Sequence, residues 1–333
     1  MSHANIAVFV PHRGCPQRCS FCNQRVISGT AAQPTAADVD LACERAQKGV
    51  HPGDTVQLAF FGGSFTAIPR GEMLELLAAA KPYVDSGFLS GGVRVSTRPD
   101  AVDDEVLTLL KAYGVRAVEL GAQSMDDRVL SLNRRGHTAA DVVAASHLIL
   151  SHGLELGLQM MTGLYGSTEK DSVETARRLI ALHPATVRIY PTVVLRGTRL
   201  EQLYQSGEYR PPAWEQTVPL CSELLELFET NGVRVIRLGL HAQEDVERQM
   251  VAGAYHPALR ELCQSEIYYR KALERLKNKP SGEYRLIVPP AAVSQMTGQK
   301  KNNLLRLAQQ GYRCRVCGDE TLNRPYDLRI EEI

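Results

Sequence analysis

The chain has 333 residues, 44% of them hydrophobic and 23% charged, with a formal net charge of +1. That is enough to bury one large core, or one core with a small appendage, and excludes a small disulfide-stapled module or a long disordered tail. No apolar run approaches the ~20 residues needed to span a bilayer, and the opening MSHANIAVFVPHRG lacks the basic-then-apolar order of a signal peptide, so a cytoplasmic, reducing location is expected.

From the start to about Gly239, short apolar runs rich in β-branched residues alternate with longer stretches of helical period, the mark of repeated βα units. Strands are predicted at Ile6 to Val10, Val56 to Phe61, Val93 to Thr97, Ala117 to Leu120, Leu156 to Met161, Val187 to Val193 and Val233 to Leu238. Helices fit between them: Val102-Asp103-Asp104-Glu105 opens one that Tyr113-Gly114 closes, and Asp141 to Ser151 forms another. Right-handed crossovers between parallel strands give a doubly wound sheet or a full or partial barrel. The strand count favours an α/β fold, a partial (βα) barrel of about six units over residues 1–240. After His241 the alternation stops. A charged helix (Ala258 to Lys277), a short strand (Tyr284 to Val288) and a basic helix (Asn302 to Gln310) make a small α+β C-terminal subdomain over residues 241–333.

The polar, Gly-rich and cysteine-containing segments fall at the C-terminal ends of the strands, where such folds bind ligands. GCPQRCSFCNQ places Cys15, Cys19 and Cys22 in a C-x3-C-x2-C spacing straight after the first strand. A reducing compartment argues against a disulfide framework for the eight cysteines, and Cys43 and Cys221 sit in helical patterns as core. Three thiolates in one loop leave one iron of a four-iron cluster with an open position, whereas zinc or a ferredoxin cluster wants a fourth ligand nearby. Part of a zinc site is the competing reading. At the end of the second strand, Gly62 and Gly63 let a ligand approach the backbone, and strand-end carbonyls there can accept hydrogen bonds from an ammonium group.

Four more strand ends carry VSTRPD (Val95 to Asp100), VELGAQS followed by NRRGHT (Val118 to Thr138), QMMTGLYG (Gln159 to Gly166) and RIYPTVVLRGT (Arg188 to Thr198). On these residues and the cysteine loop, from about residue 4 to 240, the chain resembles the radical S-adenosylmethionine (SAM) superfamily. Within it the likeness is to the radical domain of the Elongator catalytic subunit, in its short bacterial form, and to oxygen-independent coproporphyrinogen oxidases. The resemblance implies an enzyme with a 4Fe-4S cluster on Cys15, Cys19 and Cys22. Its open iron would chelate S-adenosyl-L-methionine, whose reductive cleavage yields a 5′-deoxyadenosyl radical. Carried over by position, Phe21 packs beside the cofactor and Gly62-Gly63 meet its amino group. Thr97 and Gln159 lie near the ribose, Gln123 and Arg135 near the ribose and the methionine carboxylate, and Tyr190-Pro191 near the adenine. A flavodoxin or ferredoxin would supply the electron. Taken singly, Gln123 also reads as a turn cap, Arg135 as a surface ion pair, Tyr190 as core, and His137 as the start of a helix capped by Thr138. The acetyltransferase domain of the Elongator subunit is not expected, because the chain ends too early to hold one.

Near the C-terminus, Cys314 and Cys317 form a C-x2-C knuckle followed by glycine, a shape that suits half a zinc site, with Cys263, His241, His256 or a partner chain to complete it; a merely buried pair is the alternative. From Ile267 to Arg315, eleven basic residues face only Glu274 and Glu283. Such density attracts a phosphate backbone, so RNA, and tRNA in particular, is the expected substrate, with Lys300, Lys301 and Arg306 on one face and Tyr284 and Tyr312 as potential stacking rings. Two alternatives stay open: a radical enzyme on a small molecule, as in the porphyrinogen relatives, and a non-catalytic iron–sulfur or zinc nucleic-acid-binding protein.

Overall fold

The structure, a computed structural model, describes residues 3–11, 19–23, 32–240 and 244–333. Its first part is built on β1 (His3–Val10), β2 (Thr55–Gly62), β3 (Val93–Thr97), β4 (Val115–Gln123), β5 (Glu155–Thr162), β6 (Thr186–Pro191), a two-residue β7 (Val194–Leu195) and β8 (Arg234–Leu238). Seven of these pair in the order β1-β2-β3-β4-β5-β6-β8, every neighbour parallel. The crossovers run through α1 (Ala36–Gln47), α2 (Arg70–Asp85), α3 (Asp104–Ala112), α4 (Asp127–Leu132) with α5 (Ala139–Ser151), α6 (Glu169–Ile180), and α7 (Arg199–Gln205) with α8 (Trp214–Thr230). Chain order equals spatial order, so the sheet is an α/β half-barrel of six βα crossovers, as the sequence predicts.

Local chemistry sets the helix boundaries. Asp103 caps α3 by accepting from the Val106 N–H at 2.8 Å, and α5 and α6 both open on capping boxes, Thr138 with Asp141 and Thr168 with Asp171. The predicted strand from Val187 to Val193 stops at Pro191, because proline carries no N–H to continue the ladder.

Along β3 to β6 the residues alternate. Val93, Val95, Val118, Leu120, Leu158, Met160, Val187 and Ile189 are fully buried in the main apolar core. Ser96, Glu119, Gln159, Arg188 and Tyr190, one residue out of phase, line a cavity on the concave side. Parallel strands covered on both faces normally read as unbroken hydrophobic runs, so this alternation marks a polar lumen.

The second part holds α9 (Glu244–Gln249), β9 (Met250–Ala252), α10 (Leu259–Leu276), β10 (Gly282–Val288), α11 (Val293–Thr297), α12 (Asn302–Gln309), β11 (Tyr312–Gly318) and β12 (Arg329–Glu332). β9 pairs antiparallel with β7, and a three-stranded sheet runs β11-β10-β12, with β11 parallel and β12 antiparallel to β10. α10 lies on α8, where Ser222 Oγ donates to the Cys263 carbonyl at 3.2 Å. One apolar cluster continues from Val187 and Leu224 through Cys263 and Ile267 to Tyr284 and Leu286.

Candidate active site

The cysteine loop is held at the strand ends from three directions. The Ser20 N–H donates to the Asn133 carbonyl at 3.1 Å, the Leu200 N–H to the Ser20 carbonyl at 2.8 Å, and Asn23 Nδ2 to the Arg196 carbonyl at 3.1 Å. Asn133 is itself locked, with Nδ2 donating to the Val129 and Tyr165 carbonyls. A tight turn, Cys22 N–H to Cys19 carbonyl at 3.1 Å, brings the two cysteines together. Burial pushes the Cys22 thiol up to about 12, the neighbouring Cys19 adds to this, and Arg135 opposes it. Arg135 donates from Nη1 to Cys19 Sγ at 3.2 Å and from Nη2 to the Gly121 carbonyl at 2.6 Å. Cys15 lies outside the described residues.

Beside this loop the strand ends form one cavity of about 590 Å³. Phe21, Gly62, Gly63, Thr97, Gln123, Arg135, Gln159, Tyr190 and Pro191 all line it, together with Cys22. Gly62 sits at φ +111° against β1, where an added Cβ would stand 3.1 Å from the Val10 carbonyl oxygen, so only glycine fits there. Its neighbour Gly63 donates back to that carbonyl at 2.7 Å. The Thr97 hydroxyl lies 3.0 Å from Ser64 Oγ and 2.6 Å from Thr66 Oγ1. A bulge between Gly121 and Gln123 turns Gln123 to φ +64°, an uncommon conformation for a non-glycine residue, and Gln159 Nε2 donates to its Oε1 at 3.3 Å. Gln123 and Arg135 are 4% and 7% exposed, which rules out the surface ion pair for Arg135. Thr138 is the N-cap of α5, as expected.

A layer of charge deeper in the lumen goes unread in the sequence. Glu119, 3% exposed, lies 2.5 Å from Arg188 Nε and 3.8 Å from Arg94 Nη1. The first approach is an ion pair and not an aligned hydrogen bond, since Arg188 Nε has no hydrogen-bond partner. Arg188 stacks over Phe61 at 4.8 Å; burial pulls its pKa down, but Glu119 and Tyr190 outweigh this and the net shift is up. Burial likewise raises the Tyr190 hydroxyl and lowers Arg237. Arg94 reaches Gln57 Oε1 at 2.9 Å and Glu155 Oε1 at 2.6 Å. The signal that finds these residues is the period-two alternation in VRVST, AVELG and VRIY, which looks the same for a solvated face and a polar lumen.

The donor set fits an iron–sulfur cluster with a chelated amino acid. Cys22 lines the cavity, and Arg135, which donates to Cys19 Sγ, lines it too and keeps a buried Nε without a hydrogen-bond partner, a donor that suits a carboxylate. The Radical SAM superfamily profile matches residues 9–179, half of the chain. The chain belongs to the radical SAM superfamily. Membership implies a 4Fe-4S cluster and SAM, and makes the protein an enzyme of the radical SAM type. A Radical_SAM C-terminal domain follows over residues 184–269. The tRNA uridine(34) acetyltransferase of Dehalococcoides mccartyi is 28% identical over 239 residues, 62% of this chain and 52% of that one. Human Elongator complex protein 3 is 28% identical over 233 residues, 64% and 42%. An uncharacterised protein of Methanocaldococcus jannaschii is 29% identical over 223 residues, 66% and 65%. The chain is thus similar to Elongator catalytic subunits and spans about half the length of the named relatives. The archaeal Elp3 of Methanocaldococcus infernus, its N-terminus deleted, shares the fold at TM-score 0.64 and 21% identity over 85% of this chain and 66% of that one. Methylornithine synthase shares it at TM-score 0.52 and 14% identity, 83% and 82%.

The second cysteine pair corrects an expectation. Cys314 and Cys317 lie on β11, paired with Tyr284 and Ile287, and three residues along a strand put side chains on opposite faces. The knuckle predicted for zinc is therefore a strand, and its cysteines diverge. Cys263 is buried against α8, and His256 Nδ1 accepts from the Ala258 N–H at 3.0 Å; His241 lies outside the described residues. Among the described residues no three His, Cys, Asp or Glu side chains gather closely enough for a metal.

The basic stretch divides. Arg270 and Lys271 pair with Glu226 of α8 at 3.2 and 2.9 Å, and Arg285 with Glu331 at 3.6 Å. Arg313 lies 3.9 Å from Glu283. Arg306 is committed too, 2.6 Å from Glu266 and 3.4 Å above the Tyr269 ring. Tyr284 and Tyr312, 0% and 8% exposed, pack edge to face and offer no ring to a base. Arg275, Lys277, Lys279, Lys300, Lys301 and Arg315 are exposed and have no carboxylate partner among the described residues. No described helix is long and apolar enough to cross a membrane.

Proposed function

We propose that the 590 Å³ cavity binds SAM beside a cluster held by Cys15, Cys19 and Cys22, and that the enzyme modifies an RNA, tRNA being the class its named relatives act on. The observation that carries the reading is the convergence of Cys22 and the nine residues expected to touch the cofactor, spread from Phe21 to Pro191, on one cavity. When bound, the cluster and SAM together supply a primary carbon radical able to abstract hydrogen.

The chain's own groups then have distinct tasks. Arg135 holds the methionine carboxylate with its remaining N–H and steadies Cys19, while strand-end carbonyls beside Gly62 and Gly63 take the ammonium. Gln123 and Gln159, whose amides already touch, orient the ribose hydroxyls, with Thr97 beside them. Tyr190 and Pro191 bound the adenine, and Phe21 packs against the cofactor. The exposed cations at Arg275, Lys277, Lys279, Lys300, Lys301 and Arg315 carry the RNA backbone contact, and a flavodoxin or ferredoxin is the reductant.

The test is mass analysis of nucleosides from the tRNA of cells with and without the gene. A modified nucleoside that disappears with the gene and returns with the wild type, but not with a Cys22→Ala copy, is the expected result. An unchanged tRNA nucleoside profile overturns the RNA part of the reading.

A further inference from the structure

Arg98, Arg135, Arg188 and Arg237 line the cavity, against the single carboxylate of Glu119. Three of these guanidinium groups are matched. Arg98 holds Asp100 through two nitrogens at 2.9 and 3.0 Å, Arg188 lies against Glu119, and Arg135 is the group proposed above for the methionine carboxylate. Arg237, on the last strand β8, forms no ion pair among the described residues. The turn that follows holds its head instead: Nε donates to the Gly239 carbonyl at 2.7 Å and Nη2 to the Leu240 carbonyl, with Gly239 at φ +85° folding the chain back. Nε and Nη2 form one side of the planar head. Its end, Nη1 with the second Nη2 hydrogen, therefore offers two parallel N–H groups that no described residue accepts. Arg237 is half-buried, and the unbonded Nη1 stays open to solvent.

The electrostatics agree with this geometry. Arg188 and Arg306 each stand beside a carboxylate and are shifted up, whereas burial shifts Arg237 down, outweighing what Tyr190, Tyr255 and Glu261 return, and Arg188 adds repulsion. A cation desolvated without a counter-charge gains most when a ligand brings one. Val193, Leu195, Ile236, Leu240 and Val246 line the same cavity, and neither they nor Arg237 are among the cofactor contacts proposed above. We propose that the substrate group entering the lumen is an apolar arm ending in a carboxylate, held end-on by Arg237. One planar head with two parallel N–H groups matches one planar monoanion. A phosphate monoester would bring further charge, and Arg188, already paired with Glu119, does not answer it. The inference rests on the cavity being the reaction site and adds to it the chemical class of the group that the β8 side of the lumen takes.

The experiment uses the anaerobically reconstituted holoenzyme with SAM present. Hexanoate, hexanamide and butyl phosphate serve as probes in equilibrium dialysis, and SAM affinity is measured separately. Hexanoate should bind at least about tenfold more tightly than hexanamide, which has the same shape without the charge, and more tightly than butyl phosphate. Arg237→Gln should bring hexanoate within about twofold of hexanamide while SAM affinity stays the same. Equal binding of hexanoate and hexanamide by the wild type, tighter binding of butyl phosphate than of hexanoate, or a preference for hexanoate that survives Arg237→Gln overturns the proposal. The wild-type comparison stands even if the variant does not fold. Failure of the wild type to bind SAM overturns the site assignment as well, and intact SAM binding without a preference for hexanoate overturns the inference alone.

Discussion

Arg135 joins the two halves of the site, with one nitrogen on Cys19 Sγ at 3.2 Å and another on the Gly121 carbonyl at 2.6 Å. Arg135→Ala should leave the bound iron unchanged and weaken SAM binding by about 2 kcal/mol, the scale of a charge-assisted hydrogen bond in a desolvated site; an iron assay on the reconstituted protein reads the first and calorimetry the second. Two positions on, His137 is buried with Nε2 3.2 Å from the Ala122 carbonyl, and burial first, Arg135 second, hold its pKa down to about 4. The unfolded chain binds that proton more readily than the folded one. The stability His137 contributes is therefore full above its ordinary value of 6.5 and is lost as pH falls from there to about 4. Urea midpoints measured across that window should fall for the wild type and fall less steeply for His137→Gln. At this scale legibility followed position along the strand. Residues at strand ends, such as Gln123 and Tyr190, stood in recognisable segments. Glu119 and Arg188 stood in the same segments but mid-strand, where one alternating polar residue fits a solvated face as well as a lumen.

Elements were legible wherever period and caps agreed. Seven predicted strands recur within a few residues of their observed bounds, because β-branched runs were punctuated by helices with acidic first turns. Thr138→Ala, removing the hydroxyl half of a capping box, should cost about 1 kcal/mol of stability in urea unfolding. Gly157→Ala should cost more, about 1–3 kcal/mol, since its Cβ would meet Thr186 Oγ1 at 3.1 Å and Glu119 Cγ at 3.2 Å in a packed lumen. β11 was missed for a specific reason. YRCRVCG alternates inward Tyr312, Cys314 and Val316 with outward Arg313, Arg315 and Cys317, a strand pattern, but its C-x2-C spacing also satisfies half a zinc site. Spacing alone does not separate a knuckle from a strand; the alternation around it does.

Across the whole molecule, charge is where composition said least. A near-neutral total hides a basic C-terminal stretch, and the fold spends part of that stretch on itself through Glu226 and Glu266. Sequence cannot tell a docking cation from a presented one, because the distinction depends on which helix face meets the barrel. Charge reversal at Lys277, Lys279, Lys300 and Lys301 should flatten the salt dependence of tRNA binding, by up to roughly 0.9 in slope per lost phosphate contact. Arg306→Glu should instead lower stability and leave the slope intact, since Arg306 sits between Tyr269 and Glu266. Filter binding over a salt series distinguishes the two. All of this depends on the cysteine loop and the cavity forming one site. The most direct measurement is anaerobic reconstitution followed by iron counting and detection of 5′-deoxyadenosine after reduction with SAM. The wild type should bind about four irons and release 5′-deoxyadenosine, and the Cys15, Cys19 and Cys22 triple alanine variant should do neither. Iron bound undiminished by that variant, or 5′-deoxyadenosine released by it, would contradict the account.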